Sequence, residues 1–352
     1  MPRLLPRVKR SRGRGDFSFV GFAYAYLACC VRLSHAERRR RSPCLDNIET
    51  SHKRKNVPNA LVLFDFSIIC MYIDELKKYK SANEQIIEIF ERSDWLKKHV
   101  PALKNCGTSV GFDIDENGEI KLKTANFCRK RLCPMCQRRK SLKVYGEIMR
   151  MTEYLGAKYA CLHLVLSRPN VYANSLSNEI TQLFRGSSSF FAEKSLKRAF
   201  KGILRCLEVT YNAKRGDFHP HLHCLVFVNR SYFTSRDYLK HTHLVSLWQK
   251  YVGAPADVYV RKVDDIAHAC AEVAKYCTKP LELNVKNPEK ITEIYEILDA
   301  ALHSRRLLQS YGVVKSALAD LKIDLEELTE DYDTQNIKMW FRWEMGDYVI
   351  EK

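Results

Sequence analysis

The sequence predicts an α+β fold, helices interspersed with antiparallel strands, on three observations. Ile203–Tyr211 (ILRCLEVTY) and Phe218–Val228 (FHPHLHCLVFV) are apolar runs joined by the turn-forming stretch Asn212–Asp217, the pattern of a hairpin. Residues 71–100, 137–155 and 176–202 repeat apolar side chains at helical spacing. Short strand-like runs, Tyr159–Leu166 and Ala256–Val263, fall between the helical stretches.

The chain has 352 residues, 46% of them hydrophobic, which is enough for two domains or for one domain with attachments. Its formal net charge is +17, which points to a polyanionic partner. The charge is uneven: residues 1–60 hold 14 Lys and Arg against 4 Asp and Glu. Of the thirteen cysteines four have metal-site spacing and several others sit inside apolar runs. That usage suits a reducing compartment, the cytoplasm, and not a secreted disulfide framework. No apolar stretch is long and clean enough for a transmembrane helix, so no membrane partner is expected.

Taken in order, residues 1–70 differ from the rest. Basic Met1–Arg14, apolar Phe17–Val31 and then Arg38–Arg41 imitate a signal peptide, although the arginine cluster is a poor exit from one. A disordered basic arm, or an extension that folding does not need, is the other reading, and Met71 is an alternative start. Residues 71–150 form a helical and cysteine-bearing region. Ile73, Leu76, Tyr79, Ile86, Ile87 and Phe90 make the apolar stripe of its first helix. Cys106 then precedes a hairpin with its turn at Glu116-Asn117-Gly118.

The cysteine pattern is Cys106-x21-Cys128-x4-Cys133-x2-Cys136. Four thiolates satisfy a tetrahedral Zn²⁺ and leave no open position, so a structural ion is expected. The surrounding residues are basic: Arg129, Lys130, Arg131, Arg138, Arg139, Lys140 and Lys143. They suit DNA phosphates, and they equally suit a solvated helix face.

Residues 151–285 carry the reactive groups. In a strand, alternate side chains share a face, so His219, His221 and His223 point one way and Leu222 points into a core. Several imidazoles on one rigid face make the start of a divalent-metal site. Glu208, in the preceding strand, falls opposite His221 and His223 if the turn is tight, and is the natural third ligand for Mg²⁺ or Mn²⁺. His163, inside Tyr159–Leu166, is expected to be a buried, hydrogen-bonded histidine. Tyr232–Val252 is expected to be helical, which separates His241 from His243. From Asp265 the chain reads as helical up to Pro280, which stops it, and Glu272, Tyr276 and Lys279 follow one another on one side. Residues 286–352 are a charged helical segment, then Ile337–Ile350 (IKMWFRWEMGDYVI), a last strand or hairpin closing the sheet.

The order Cys-x4-Cys-Pro-x-Cys, Glu-x-Thr, His-Pro-His-x-His and Glu-x3-Tyr-x2-Lys resembles the rolling-circle plasmid replication initiators, of the single-tyrosine kind within the HUH endonuclease superfamily. The resemblance covers about Leu103 to Val349 and excludes residues 1–70. It implies a central antiparallel sheet with helices packed on it, the histidine pair on its middle strands and the tyrosine on a helix across them. It also implies roles. His221 and His223 would bind the catalytic ion, His219 need not be a ligand, and Glu208 occupies the upstream acid position. Tyr276 would be the nucleophile, Lys279 its companion, and Glu272 the group that helps water release the strand at termination. The implied partners are plasmid origin DNA, single-stranded at the nick site, and a host helicase.

Other classes fit less well. A relaxase or single-tyrosine transposase uses the same groups, but relaxases place the tyrosine ahead of the histidines. A non-catalytic zinc-dependent regulator explains the cysteines and the charge, but not Glu272, Tyr276 and Lys279. A binuclear metallohydrolase needs further His and Asp at strand ends.

Overall fold

Helix α1 (Phe66–Glu91) opens the part of the chain that a computed structural model describes, residues 66–114, 120–278, 285–325 and 339–351. Met71, the alternative start, lies inside this helix. The stripe of α1 is shared between two clusters. Ile73 packs with Val110, Phe112, Met339, Phe341 and Tyr348, whereas Ile86, Ile87 and Phe90 pack around the cysteines. Helix α2 (Val100–Asn105), strands β1 (Ser109–Ile114) and β2 (Ile120–Ala125), and helix α3 (Pro134–Gly156) follow. β1 and β2 pair antiparallel as expected, and the turn placed at Glu116–Gly118 lies outside the described residues, as do residues 1–65.

The main sheet begins with β3 (Tyr159–Ser167). Helices α4 (Leu176–Ala192) and α5 (Lys194–Ala199) lead to the long hairpin of β4 (Phe200–Asn212) and β5 (Asp217–Asn229). Then come α6 (His241–Val252), β6 (Val258–Lys262), α7 (Ile266–Thr278), α8 (Pro288–Leu302), β7 (Leu308–Gly312) and α9 (Val313–Asp320). The strand order is β6-β3-β5-β4-β7, and every neighbouring pair is antiparallel.

Alternation divides this sheet into two apolar faces. Leu164, Leu166, Leu222, Cys224 and Val226 pack against Ile180, Leu183 and Phe190 of α4, Leu244 and Trp248 of α6, and Ile294 and Leu298 of α8. On the other face Cys161, Leu204, Cys206, Leu225 and Phe227 meet Val144 and Ile148 of α3, Cys270 and Val273 of α7, and Val314 and Ala317 of α9. Each fully buried Leu, Val or Phe contributes about 1.5–3 kcal/mol, so the apolar rows hold the hairpin's register against a one-residue slip, which would turn every side chain over. That register places the histidines on the α7 side.

The α+β class holds, with helices on both faces of a central antiparallel sheet. Four local expectations change. β7 falls in a stretch expected to be helical. It is a five-residue edge strand, LQSYG, whose backbone is satisfied by pairing with β4. The C-terminal hairpin β8 (Met339–Glu344) and β9 (Asp347–Ile350) forms, but β8 pairs with β1 and so builds a second sheet, β2-β1-β8-β9. Helix α6 starts at His241 and not at Tyr232, because the Ser235 hydroxyl takes the Asp237 amide and the Tyr232 hydroxyl takes the Leu239 amide. Such bonds offer the backbone an alternative to a helix. The helix expected over 176–202 breaks at Glu193, which is extended (ψ 136°), and β4 begins at Phe200.

Candidate active site and metal centres

β4 and β5 pair with Glu208 opposite His221 and Cys206 opposite His223. On the other side, His221 faces Ser167 of β3 and His223 faces Val165. Residues paired in this way point to one face, so Glu208, His221 and His223 converge. Nε2 of His221 lies 2.9 Å, and Nε2 of His223 3.1 Å, from Glu208 Oε2. Two ligand atoms at right angles around an ion, each bonded at ~2.1 Å, would be about 3.0 Å apart. These separations suit a divalent ion, and the set could hold one.

The electrostatics suit a cation. Burial opposes the charged form of Glu208, but hydrogen bonds from His221 and His223 outweigh it and hold the carboxyl down at about 2. Burial, the largest influence, pushes the His223 pKa below its usual range. His221 donates Nδ1–H to the His219 carbonyl at 3.0 Å, which leaves Nε2 to face Glu208. His219 turns aside, with its Nδ1 2.8 Å from Asn170 Oδ1, and is not part of the three-residue group.

His163 is buried, as expected of a histidine within β3, and its bonding partner lies in the site. Nε2 of His163 is 3.1 Å from Nδ1 of His223, and the two ring planes are nearly parallel. Burial, the largest influence, takes the His163 pKa down to about 4. Its Nδ1 faces Glu272 Oε2 at 3.5 Å, and Arg261 of β6 donates to the same oxygen at 2.6 Å. Glu272 therefore reaches the histidine cluster from α7, where Cys270, Val273 and Ala274 hold the helix against the sheet. Tyr276 has helical backbone one turn after Glu272. Its side chain and the whole of Lys279 lie outside the described residues. His241 and His243 separate, as their helical spacing requires: the first contacts the Val258 carbonyl and the second Ser195.

The four cysteines form a second cluster. Sulfur separations are 3.5 Å (Cys106–Cys133) and 3.6 Å (Cys106–Cys136 and Cys128–Cys136). These approach the ~3.8 Å edge of a tetrahedron of sulfurs bonded at ~2.3 Å to one ion, so the cluster can hold a metal. Local backbone builds it. Cys133 is the N-cap of α3 and Pro134 starts that helix, whose dipole favours negative sulfur. The amides of Cys128 and Arg129 donate to the sulfurs of Cys106 (3.4 Å) and Cys136 (3.2 Å), with Arg129 at φ +56° to make that turn. Gly107 beside Cys106 has φ +67°, a left-handed conformation that glycine adopts without strain. Bonding among the sulfurs drives the Cys128 thiol down and the Cys133 thiol up.

Lys80 escaped sequence reasoning. This lysine of α1 is 2% exposed and donates Nζ to the carbonyls of Cys106 (2.7 Å) and Lys104 (3.1 Å). Burial lowers its pKa, while the charges of Cys106, Glu84, Cys133 and Cys128 work to keep it up. A buried lysine in an amphipathic stripe is the sequence signal that was available.

The basic residues near the cysteines are varied. Arg129, Lys130 and Arg131 are exposed, and Arg131 donates to the carbonyls of Leu302 and Arg305. Arg138 pairs with Glu75, and Arg139 is partly exposed on α3. No helix among the described residues is long and apolar enough to cross a membrane.

Fold and clusters together define a class: an α+β protein with one His₂Glu and one Cys₄ group, each able to hold an ion. Residues 119–348 match the family Rep_1, described as replication protein. A "Protein rep" of Streptococcus pneumoniae is 27% identical over 290 residues, which span 76% of this chain and 89% of the relative. One from a Bacillus species is 31% identical over 255 residues, 64% and 81% of the two chains. A third, from Staphylococcus aureus, is 32% identical over 218 residues, 60% and 95%. The chain belongs to this Rep family of plasmid replication initiators. No solved structure matches it significantly.

Proposed function

We propose that this replication protein is a site-specific single-strand endonuclease that starts rolling-circle replication by nicking its plasmid origin through Tyr276. The observation that carries the reading is the convergence of Glu208, His221 and His223 on one sheet face, beneath the helix that bears Glu272 and Tyr276. Glu208, His221 and His223 would hold Mg²⁺ or Mn²⁺, with His219 outside the set. When bound, the ion polarises the scissile phosphate and stabilises the charge that develops on it.

In the first step the Tyr276 oxygen bonds to phosphorus and the P–O3′ bond breaks. The phenol gives up its proton and the departing 3′ oxygen takes one, leaving a 5′-phosphotyrosine and a free 3′-OH. A phenol of pKa ~10 is mostly protonated at neutral pH, and Lys279 nearby favours the phenolate or holds an adjacent phosphate. In the second step Glu272 takes a proton from water or from a 3′-OH. That oxygen bonds to the phosphotyrosine phosphorus, the P–O bond to Tyr276 breaks, and the departing tyrosine oxygen takes up a proton. The phosphate must lie in single-stranded or extruded DNA, because a sheet-mounted site cannot enclose a duplex. A host helicase would open the duplex behind the nick. A relaxase or a transposase would share this chemistry; the match to replication proteins favours initiation.

A labelled single-stranded origin oligonucleotide, incubated with the protein and Mn²⁺, tests the reading. A covalent adduct that survives denaturation and is lost to protease is expected. Binding without any adduct would leave only a DNA-binding regulator. Glu272→Gln should still form the adduct, but release it roughly a hundredfold more slowly, read by chasing the trapped species with time.

We assign the Cys₄ cluster to a structural Zn²⁺, and Arg129, Lys130, Arg131, Arg138 and Arg139 to the basic surface that meets origin DNA. Four thiolates around Zn²⁺ carry a net negative charge, which the Lys80 ammonium offsets from a separate helix. Lys80→Met is therefore expected to weaken zinc retention about tenfold, measured by competition with a chromogenic chelator. Unchanged retention would reduce Lys80 to a carbonyl-binding strut.

A further inference from the structure

We propose that His163 is a positioning residue that locks His223 as a metal ligand and sets it in register with Glu272, so that the ion-binding group and the strand-release group lie along one row of facing polar atoms. The inference rests on the reading of Glu208, His221 and His223 as ion ligands and of Glu272 as the release base.

Proton positions can be derived along the row. A histidine that ligates through Nε2 must carry its proton on Nδ1. His221 satisfies this through the His219 carbonyl at 3.0 Å, which can only accept. The Nδ1 of His223 meets a ring nitrogen instead, Nε2 of His163, at 3.1 Å. For His223 to donate there, that nitrogen must be the unprotonated one. The proton of His163 then sits on Nδ1, a buried atom with no hydrogen bond at normal length. What Nδ1 faces is Glu272 Oε2, 3.5 Å away, a carboxylate oxygen that can accept. Arg261, one strand over and paired with His163 in register, holds that oxygen from the other side at 2.6 Å. Glu272 and Arg261 thus fix the tautomer of His163, and His163 fixes the tautomer and ring direction of His223. The two rings are nearly parallel, 17° apart with centroids separated by 5.4 Å, the edge-to-edge arrangement that an in-plane bond between their nitrogens requires.

Metal-bound histidines ordinarily hand their second nitrogen to a carboxylate, a carbonyl or water. Here a neutral imidazole is interposed. The consequence is coupling: displacing Glu272 toward a substrate water removes the acceptor that orients His163, and the disturbance reaches an ion ligand. A buried histidine serving only to fill space would not need its two nitrogens aimed at these two groups.

The experiment compares His163→Phe and His163→Gln with the wild-type protein. Manganese binding without DNA is read by electron paramagnetic resonance, and covalent adduct formation and release are read separately. The Phe variant should bind Mn²⁺ about tenfold more weakly, regain adduct formation at high Mn²⁺, and still release the adduct slowly. The Gln variant, whose amide can accept from His223 and donate to Glu272, should recover most of the affinity. Wild-type Mn²⁺ affinity in the Phe variant would overturn the proposal, as would a Gln variant no better than Phe. Nitrogen-15 spectra of the Mg²⁺-loaded wild-type protein give an answer that needs no variant: Nδ1-protonated His163 and His223 are expected, and an Nε2-protonated His163 would refute the row. If the wild-type protein binds Mn²⁺ in a His163-dependent way but forms no adduct, the nicking assignment falls and the row stands.

Discussion

Replacing Tyr276 by Phe is expected to lower nicking by a thousandfold or more, on the order of what removing a covalent nucleophile costs, while origin binding persists. The change deletes one oxygen and leaves the ring, so α7 should keep its place on the sheet. No covalent protein–DNA species should form at any Mn²⁺ concentration, because the bond to phosphorus has no oxygen to form through. Gel-shift binding and adduct formation, measured on the same preparation, separate loss of chemistry from loss of the fold. Undiminished nicking by the Phe variant would transfer the nucleophile elsewhere and end this account of α7.

The next largest effect is expected at the His₂Glu group. His223→Ala should remove an ion ligand and also leave His163 Nε2 without its partner at 3.1 Å. His221→Ala should remove a ligand alone. Both should lose metal-dependent cleavage by about 10²–10³-fold, the range seen when one group that stabilises a transition-state charge is removed. His223→Ala should also be the less stable protein, because an unsatisfied buried polar atom costs about 1–3 kcal/mol. EDTA should abolish wild-type cleavage, and Mg²⁺ or Mn²⁺ should restore it. Cleavage that persists in EDTA would take the ion out of the reaction and leave the cluster a structural role. A thermal melt of each variant checks the stability order.

Local periodicity accounts for what could be read in advance. His219, His221 and His223 alternate with Pro220 and Leu222, and alternation fixes a shared face for any strand. Glu208 could be placed opposite them because the connection from Asn212 to Asp217 is short, and short hairpins leave little freedom in register; the observed pairing is Glu208 with His221. The cysteine spacing likewise carries its own geometry, since Cys133-Pro134-Met135-Cys136 places two sulfurs on one helical turn. β7 was not legible for the complementary reason. Leu308–Gly312 has no strong pattern of its own, and the ladder of β4 makes it a strand. The second sheet joins β1 to β8 across most of the chain, a pairing that no local signal encodes.

The amino-acid order alone determined the α+β class, the side chains able to bind each ion, and the family. Each depends on neighbours within a strand, a turn or a helix, where backbone geometry sets which side chains can meet. Only the tertiary structure decided that His163 backs His223, that Glu272 and Arg261 lie at the end of that row, and that Lys80 reaches the backbone carbonyl of Cys106. Those contacts join segments far apart in the chain, brought together by burial of apolar faces, and burial is indifferent to which polar groups it sets side by side.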